Sequence, residues 1–380
     1  MTQTKNEDSA AFSEEKNPWG NAGVNKYSKV FSQFGVKPLT DEMKTTFSDF
    51  HLLRNGLCLG QRDLGVILNA IKEKREFNIV TGFSPSGPFH FGHKAIIDSY
   101  VYFRKFAKRG YFVISDVDAY VSRPDSKVAS LKQADEYAIN NIANAIALGV
   151  PENDIILQSK QPSAFFIFSH EMSKKLTLNT MKATLGHDSL GKFSAAYLQI
   201  SDILFPQIKD SPAPTLIPVG IEQDPIIRLA RDVANSFSSI YKFDTLATIY
   251  LSHVPSLKNV NMKMSKGVIG SGISLTENKK EVENLLRRAF TGGRNTIVEQ
   301  RELGARPNIC PVCILYRFTN KDSKKVDMVI EKERSGQQLC GDMKTIVTEL
   351  VNNFLVEHQR KYEKALDVAV DIVNSKSKNY

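Results

Sequence analysis

The run TGFSPSGPFHFGHKAI, residues 81–96, constrains the fold more than any other stretch of this 380-residue chain. Before it, FNIVTGF (77–83) is a short apolar run ending in glycine, the pattern of a strand buried on both faces. After it, HKAIIDSYVYFRKFAKRG (93–110) sets Ile96, Ile97, Tyr100, Phe103 and Phe106 on one broad helical face. Its basic residues come late and Gly110 stops it. YFVIS (111–115) is apolar again, so strand, glycine turn, helix and strand form a βαβ unit. The order recurs as a helix over 130–149 with a strand at 154–159, and as a strand at 214–220 with a helix over 224–237.

These elements predict an α/β chain with a doubly wound parallel sheet, Rossmann-like, over residues 76–276, carrying a helical insert at about 160–210. A helical segment is expected over 21–75, because SKVFSQFG, TDEMKTTFSDFHLL and DLGVILNAIKEK space their apolar residues by three and four. Residues 1–20 are polar and are expected to form a mobile tail. From 277 to 380 the pattern is almost wholly helical, which predicts a separate helical C-terminal domain.

Composition bounds the function classes. With 42% hydrophobic and 24% charged residues, a chain of this length builds a core without metals or disulfides. Four cysteines do not make a secreted disulfide framework. No apolar run approaches the ~18 residues of a membrane span, and the first twenty residues lack a signal-peptide core, so a cytoplasmic protein without a membrane partner is expected. The net charge of +9 is compatible with a polyanionic partner and does not establish one.

In an open α/β sheet the ligand crevice lies beyond the carboxyl ends of the strands, where 82–93 falls. Gly82 and Gly87 permit close backbone approach, and Pro85 and Pro88 stiffen the loop. His90 and His93 open the next helix, where backbone N–H groups and the dipole favour an anion and two imidazoles can donate to phosphate oxygens. A metal pair would need a third ligand, and none stands nearby. It would also leave the glycine–proline loop unexplained; two core histidines packed at a helix start are the remaining alternative. The loop is neither a Walker A motif nor a dinucleotide fingerprint, since the spacing of GFSPSG fits neither.

PSGPFHFGH resembles the His-x-Gly-His signature of the class I aminoacyl-tRNA synthetases, and NMKMSKG (261–267) resembles their second signature, Lys-Met-Ser-Lys-Ser, with Gly267 in place of the final serine. The order of the two, with a βαβ framework around the first, strengthens both. PVGIEQDPIIRLARDVA (218–234) is similar to the tryptophan-specific branch, with Glu222 where that pattern has aspartate. NPWG…YSKVFSQFG, AFTGGRNTIVEQRELG and SGQQLCGDMK point to its eukaryotic–archaeal form.

The resemblance implies that His90, His93, Lys263 and Lys266 act on the phosphates, and that Gly82, Ser84, Gly92, Gly220, Met264 and Ser265 bind ATP. Gly92 would lie where the adenine ring packs. Tyr120, Gln199, Gln223 and Gln158 would hold tryptophan. ATP as substrate, Mg²⁺ with it, L-tryptophan, tRNA(Trp) and a homodimer are implied in the same way. Tyrosine in place of tryptophan, or a non-catalytic relative that binds RNA or tryptophan, are the rival readings.

Asp116 and Asp118 are expected to satisfy loop amides, and Cys310 and Cys313 of CPVC to be structural helix residues rather than metal ligands. Residues 277–380 hold 19 basic and 15 acidic residues, a net of +4. That is a weak phosphate footprint, so anticodon binding there is implied by resemblance alone, with Arg294, Lys344 and Arg360 as candidate phosphate contacts.

Overall fold

The computed structural model describes residues 35–122, 127–186, 189–265 and 268–375. The tail at 1–20, nearly all of the SKVFSQFG stretch, and Lys266 and Gly267 of the second signature lie outside the described residues.

In chain order the strands are β1 (Cys58–Arg62), β2 (Asn78–Phe83), β3 (Arg109–Ile114), β4 (Ile155–Leu157), β5 (Thr215–Gly220) and β6 (Leu246–Leu251), followed by the hairpin β7 (Pro255–Ser256) and β8 (Asn259–Lys263). The helices are α1 (Asp41–Thr46), α2 (His51–Arg54), α3 (Leu64–Lys72), α4 (Phe91–Arg104), α5 (Asp116–Ser122), α6 (Leu131–Ala147), α7 (Ser163–Glu171), α8 (Leu178–Leu185), α9 (Leu190–Lys209), α10 (Asp224–Ser236), α11 (Lys279–Arg287), α12 (Ile297–Leu303), α13 (Pro311–Thr319), α14 (Ser323–Arg334) and α15 (Cys340–Asn374).

The main sheet runs β1-β6-β5-β2-β3-β4. Strands β2 to β6 pair in parallel, as expected, but β1 pairs antiparallel with β6. The sheet is therefore mixed, and the helical reading of 21–75 is corrected at 58–62. CLGQR is too short to show a period of two, and its register shifts between Cys58 and Gly60; only the partner strand makes it a strand.

Chain order reverses about β2: β3 and β4 lie on one side of it, β5 and β6 on the other. β2 and β3 stay paired from Asn78–Arg109 to Phe83–Ile114, whereas β2 and β5 pair only at Asn78–Thr215 and Ile79–Leu216. Beyond that point the two strands part, and a crevice opens between their carboxyl ends, at the topological switch point.

The strand period of two divides the apolar residues between two layers. Ile79, Phe112, Leu216 and Ile249 pack with Phe103, Tyr100 and Ile142 of α4 and α6. Ile217 and Leu246 pack with Phe165, Leu204, Ile226 and Val233 of the insert and α10. The first layer continues without a break into Leu315, Val347, Leu355 and Ala365 of the C-terminal helices. That region thus shares its core with the sheet rather than enclosing one of its own. Periodicity marks an apolar face but not what covers it, and here α6 covers α15: His358 Nε2 donates to Asn144 Oδ1 at 2.8 Å, and Asn140 Nδ2 donates to the Tyr362 hydroxyl at 3.0 Å.

Candidate functional site

The crevice holds a cavity of about 110 Å³, open to solvent. The ends of β2, β3 and β5 contribute Val80, Gly82, Ser84, Val113 and Val219, α9 contributes Gln199, Asp202 and Ile203, and the start of α10 contributes Gln223, Ile226 and Ile227. Gly82 is glycine for a concrete reason: a Cβ there would stand 2.8 Å from the Val113 carbonyl oxygen of β3. Thr81 Oγ1 donates to the Pro218 carbonyl at 3.0 Å and so ties β2 to β5 where backbone pairing has ended.

Beyond β2 the chain enters α4. His90 is its N-cap with extended backbone, and Nδ1 of His90 accepts from Gly92 N–H at 3.0 Å. Nδ1 of His93 in turn accepts from His90 N–H at 3.0 Å, closing a reciprocal capping box. Because Nδ1 is an acceptor in both rings, each imidazole carries its proton on Nε2 when neutral. The rings are 4.0 Å apart, and His93 also stacks on Phe89 at 4.6 Å.

Two expectations change here. The N–H groups of Phe91 and Gly92 are spent on the Ile273 carbonyl and on His90, so an anion at this helix end meets imidazole Nε2–H donors and the dipole rather than those backbone donors. Gly92 is also accounted for within the protein: a Cβ would lie 2.7 Å from His90 Cε1, so glycine makes room for the imidazole.

The segment that follows the second signature lies against the first. Lys263 ends β8, and the buried Met264 donates its N–H to the Val254 carbonyl. Ser265 N–H donates to Ser271 Oγ at 3.2 Å. Downstream, Phe91 N–H meets the Ile273 carbonyl at 3.3 Å and Leu275 N–H meets the Phe89 carbonyl at 2.9 Å, with His90 and Ser274 facing each other in an antiparallel bridge. The exit of the lysine loop is thereby stitched to the histidine signature.

Of the residues expected to hold an amino acid, Gln199 and Gln223 line the cavity and two do not. Tyr120 lies on α5, is 43% exposed and is absent from the cavity wall. Asp118, two residues earlier and about 200° around the helix, is the α5 residue that lines it. Gln158 is buried behind the wall, accepting from Asp118 N–H at 2.9 Å and donating to Asp202 Oδ2 at 2.7 Å. Its strand turns into a 3-10 segment at this residue, which carries the side chain off the crevice.

Of the expected ATP residues, Gly82 and Ser84 line the cavity. Met264 instead anchors its loop, filling the space over Gly272, and the space over Gly220 is taken by the Glu222 carboxylate. That carboxylate also meets His253 Nε2. Burial lowers the pKa of His253, as does Lys263, while Glu222 raises it.

Asp202 was not anticipated. It is buried at the cavity floor three residues after Gln199 on α9. Burial pushes its carboxyl well above the usual carboxylate range; the Gln158 hydrogen bond opposes this and the charge of Asp118 adds to it. Gln199 Nε2 donates to Asp118 Oδ2 at 2.9 Å. Among the described residues, Gln199 Oε1 and Asp202 Oδ1 are buried acceptors with no hydrogen-bond partner, a costly arrangement unless a ligand supplies donors. The i, i+3 spacing in QISD was the available signal. Asp116 Oδ1 accepts from Ser159 N–H at 2.9 Å, the loop-amide role expected of it.

In the C-terminal region, Cys310 and Cys313 are buried in the shared core. Arg294 donates to the Gly304 carbonyl at 2.8 Å and Lys344 to the Arg287 carbonyl at 2.8 Å. Those donors cap backbone; Arg360 is exposed on α15.

Three comparisons bear on this geometry. The family model of class I tRNA synthetases for W and Y matches residues 72–356. A tryptophan–tRNA ligase of Methanocaldococcus jannaschii is 35% identical over 373 residues, covering 95% of this chain and 99% of its own. One from Hyperthermus butylicus is also 35% identical, covering 94% and 97%. Among solved structures, the tryptophanyl-tRNA synthetase of Aeropyrum pernix superposes with a TM-score of 0.83 at 32% identity, covering 92% of this chain and 96% of its own.

Proposed function

The chain belongs to the class I tRNA synthetases of the tryptophan and tyrosine type, as a tryptophan–tRNA ligase, and from that premise we propose how its crevice performs the reaction. Tryptophan enters the cavity ring first. Its carboxylate must reach the α-phosphorus of ATP, so its backbone stays at the mouth and its indole goes to the floor. Val80, Val113, Ile203, Ile217 and Ile227 make the apolar walls for the ring. The indole N–H is a donor only, and Asp202 Oδ1 is the buried acceptor at the floor. Gln199 Oε1 and Gln223 take the α-ammonium near the mouth, beside the negative charge of Asp118. Gln158 acts from outside the cavity by fixing Asp202 and the start of α5.

ATP lies between the two signatures. The carboxylate oxygen attacks the α-phosphorus, the bond to the bridging oxygen breaks, and pyrophosphate leaves with that electron pair. No enzyme nucleophile is needed, so positioning and charge stabilisation carry the step. Nε2–H of His90 and His93 donates to phosphate oxygens, and Lys263 with Lys266 follows the charge building on pyrophosphate. Ser265 adds a hydroxyl, and Gly82 and Ser84, in the cavity wall, leave the backbone close to the nucleotide. Mg²⁺ arrives as Mg·ATP, held by the phosphates of the substrate. A terminal ribose hydroxyl of tRNA(Trp) then attacks the carbonyl carbon of the adenylate, forming the ester as the anhydride bond breaks and AMP leaves with the electron pair, while the anticodon meets the C-terminal helices. A homodimer built on the catalytic region and a cytoplasmic location complete the reading; among the described residues no helix is long and apolar enough to cross a membrane.

The observation that supports this reading is the ladder joining residues 89–91 to 273–275, which ties the first signature to the segment that follows the second. Its test is amino-acid-resolved exchange of labelled pyrophosphate into ATP. Exchange with tryptophan is expected, with tyrosine at least about 100-fold less efficient. Exchange with tyrosine alone, or with no amino acid, contradicts it.

A further inference from the structure

The C-terminal helix α15 touches both the first signature and the segment that follows the second. The ring of Phe354 meets Phe91 edge-on with centroids 5.4 Å apart, and Lys94 Nζ lies 5.1 Å from the Phe354 centroid. Phe91 and Lys94 flank His93 in the first turn of α4. Phe354 also stacks on His358 at 5.4 Å, and His358 is held by Asn144 of α6. One residue on, Gln359 Nε2 donates to the Leu275 carbonyl at 3.4 Å and to the Glu277 carbonyl at 2.8 Å. Leu275 is therefore held on two sides, by Phe89 through its N–H and by Gln359 through its carbonyl.

We propose that Gln359 and Phe354 are positioning residues for adenylate formation, holding the exit of the lysine loop and the first turn of α4 in register from the C-terminal helix. The inference rests on the synthetase reading of the crevice. A loop that closes on a nucleotide needs fixed ends. The entry of the lysine loop is fixed by β8 and the buried Met264. Its exit is a backbone ladder of a few residues, and Gln359 is the side chain that clamps the far end of that ladder. Loss of the clamp lets the exit drift relative to His90 and His93, and the penalty falls on the steps that use the triphosphate. No residue of α15 lines the amino acid cavity, so tryptophan binding is spared.

The experiment is steady-state pyrophosphate exchange on the full chain with wild type, Gln359→Ala, Gln359→Lys and Phe354→Leu, each checked by thermal unfolding. Gln359→Ala is expected to raise KM for ATP or lower kcat by about 3- to 10-fold, with KM for tryptophan within twofold of wild type. Gln359→Lys, which keeps a donor able to reach the Glu277 carbonyl, recovers most of the loss. Phe354→Leu, which keeps an apolar contact, shows a smaller shift in the same parameter. An active wild type with Gln359→Ala unchanged in both ATP parameters overturns the inference. So does a parallel rise in KM for tryptophan and ATP, the mark of a merely structural role. A wild type inactive with every amino acid overturns the synthetase reading instead.

Discussion

Replacing His93 with alanine is expected to slow tryptophan-dependent pyrophosphate exchange by about 10²- to 10³-fold, the usual cost of removing one preorganised donor from a developing charge. The imidazole is fixed by its Nδ1 bond to His90 N–H and by stacking on Phe89, so its Nε2–H is aimed before substrate arrives. The same substitution removes half of a capping box, which lowers stability by roughly 0.5–2 kcal/mol. The two effects separate on measurement. The stability loss appears in thermal unfolding, whereas the catalytic loss persists at a temperature where the variant is fully folded. A fully folded variant with wild-type exchange rates would remove His93 from the mechanism.

Asp202→Asn should raise KM for tryptophan by about 10- to 100-fold while leaving KM for ATP near wild type, because a hydrogen bond to a charged acceptor is worth more than a neutral one. Asparagine keeps the volume but can turn an N–H group toward the indole N–H, where two donors conflict. The pH dependence has a definite sign. The folded-state pKa of Asp202 is raised, chiefly by burial. The stability this group contributes is therefore full below the ordinary carboxylate range and is lost as pH rises through the raised value. A donor from tryptophan favours the ionised form, so affinity for tryptophan should tighten as pH rises through that value. The Asn variant should lose this dependence. Calorimetric titration of tryptophan at several pH values checks both; a pH-independent affinity in wild type would remove Asp202 as the indole acceptor.

The first signature, the parallel strands and the helical C-terminal region were legible because each writes its own period or turn chemistry into neighbouring residues. Gln199 and Gln223 line the cavity, the first on α9 and the second as the N-cap of α10. What failed depended on partners remote in sequence. β1 is a strand only because β6 lies beside it. Tyr120 and Asp118 share a short helix, and nothing local says which of its faces turns to the crevice. Gln158 sits where a strand gives way to a 3-10 turn, so its direction depends on one backbone rotation. Asp202 was visible as the fourth residue of QISD, but its meaning came from the packing of α9 under the sheet. Glu222 was legible as a longer acid than the branch pattern carries; that its carboxylate meets His253 and covers Gly220 required coordinates.

The central claim is that the triphosphate is gripped between the start of α4 and the lysine loop, with tryptophan in the adjoining cavity. Co-crystallisation with tryptophan and a non-hydrolysable ATP analogue tests it most directly. The expected complex has phosphate oxygens within about 3.2 Å of Nε2 of His90 and His93 and of the Lys263 and Lys266 ammonium groups, with the indole nitrogen against Asp202. A nucleotide bound away from those four side chains, or an indole ring outside the cavity between β2 and β5, would contradict it.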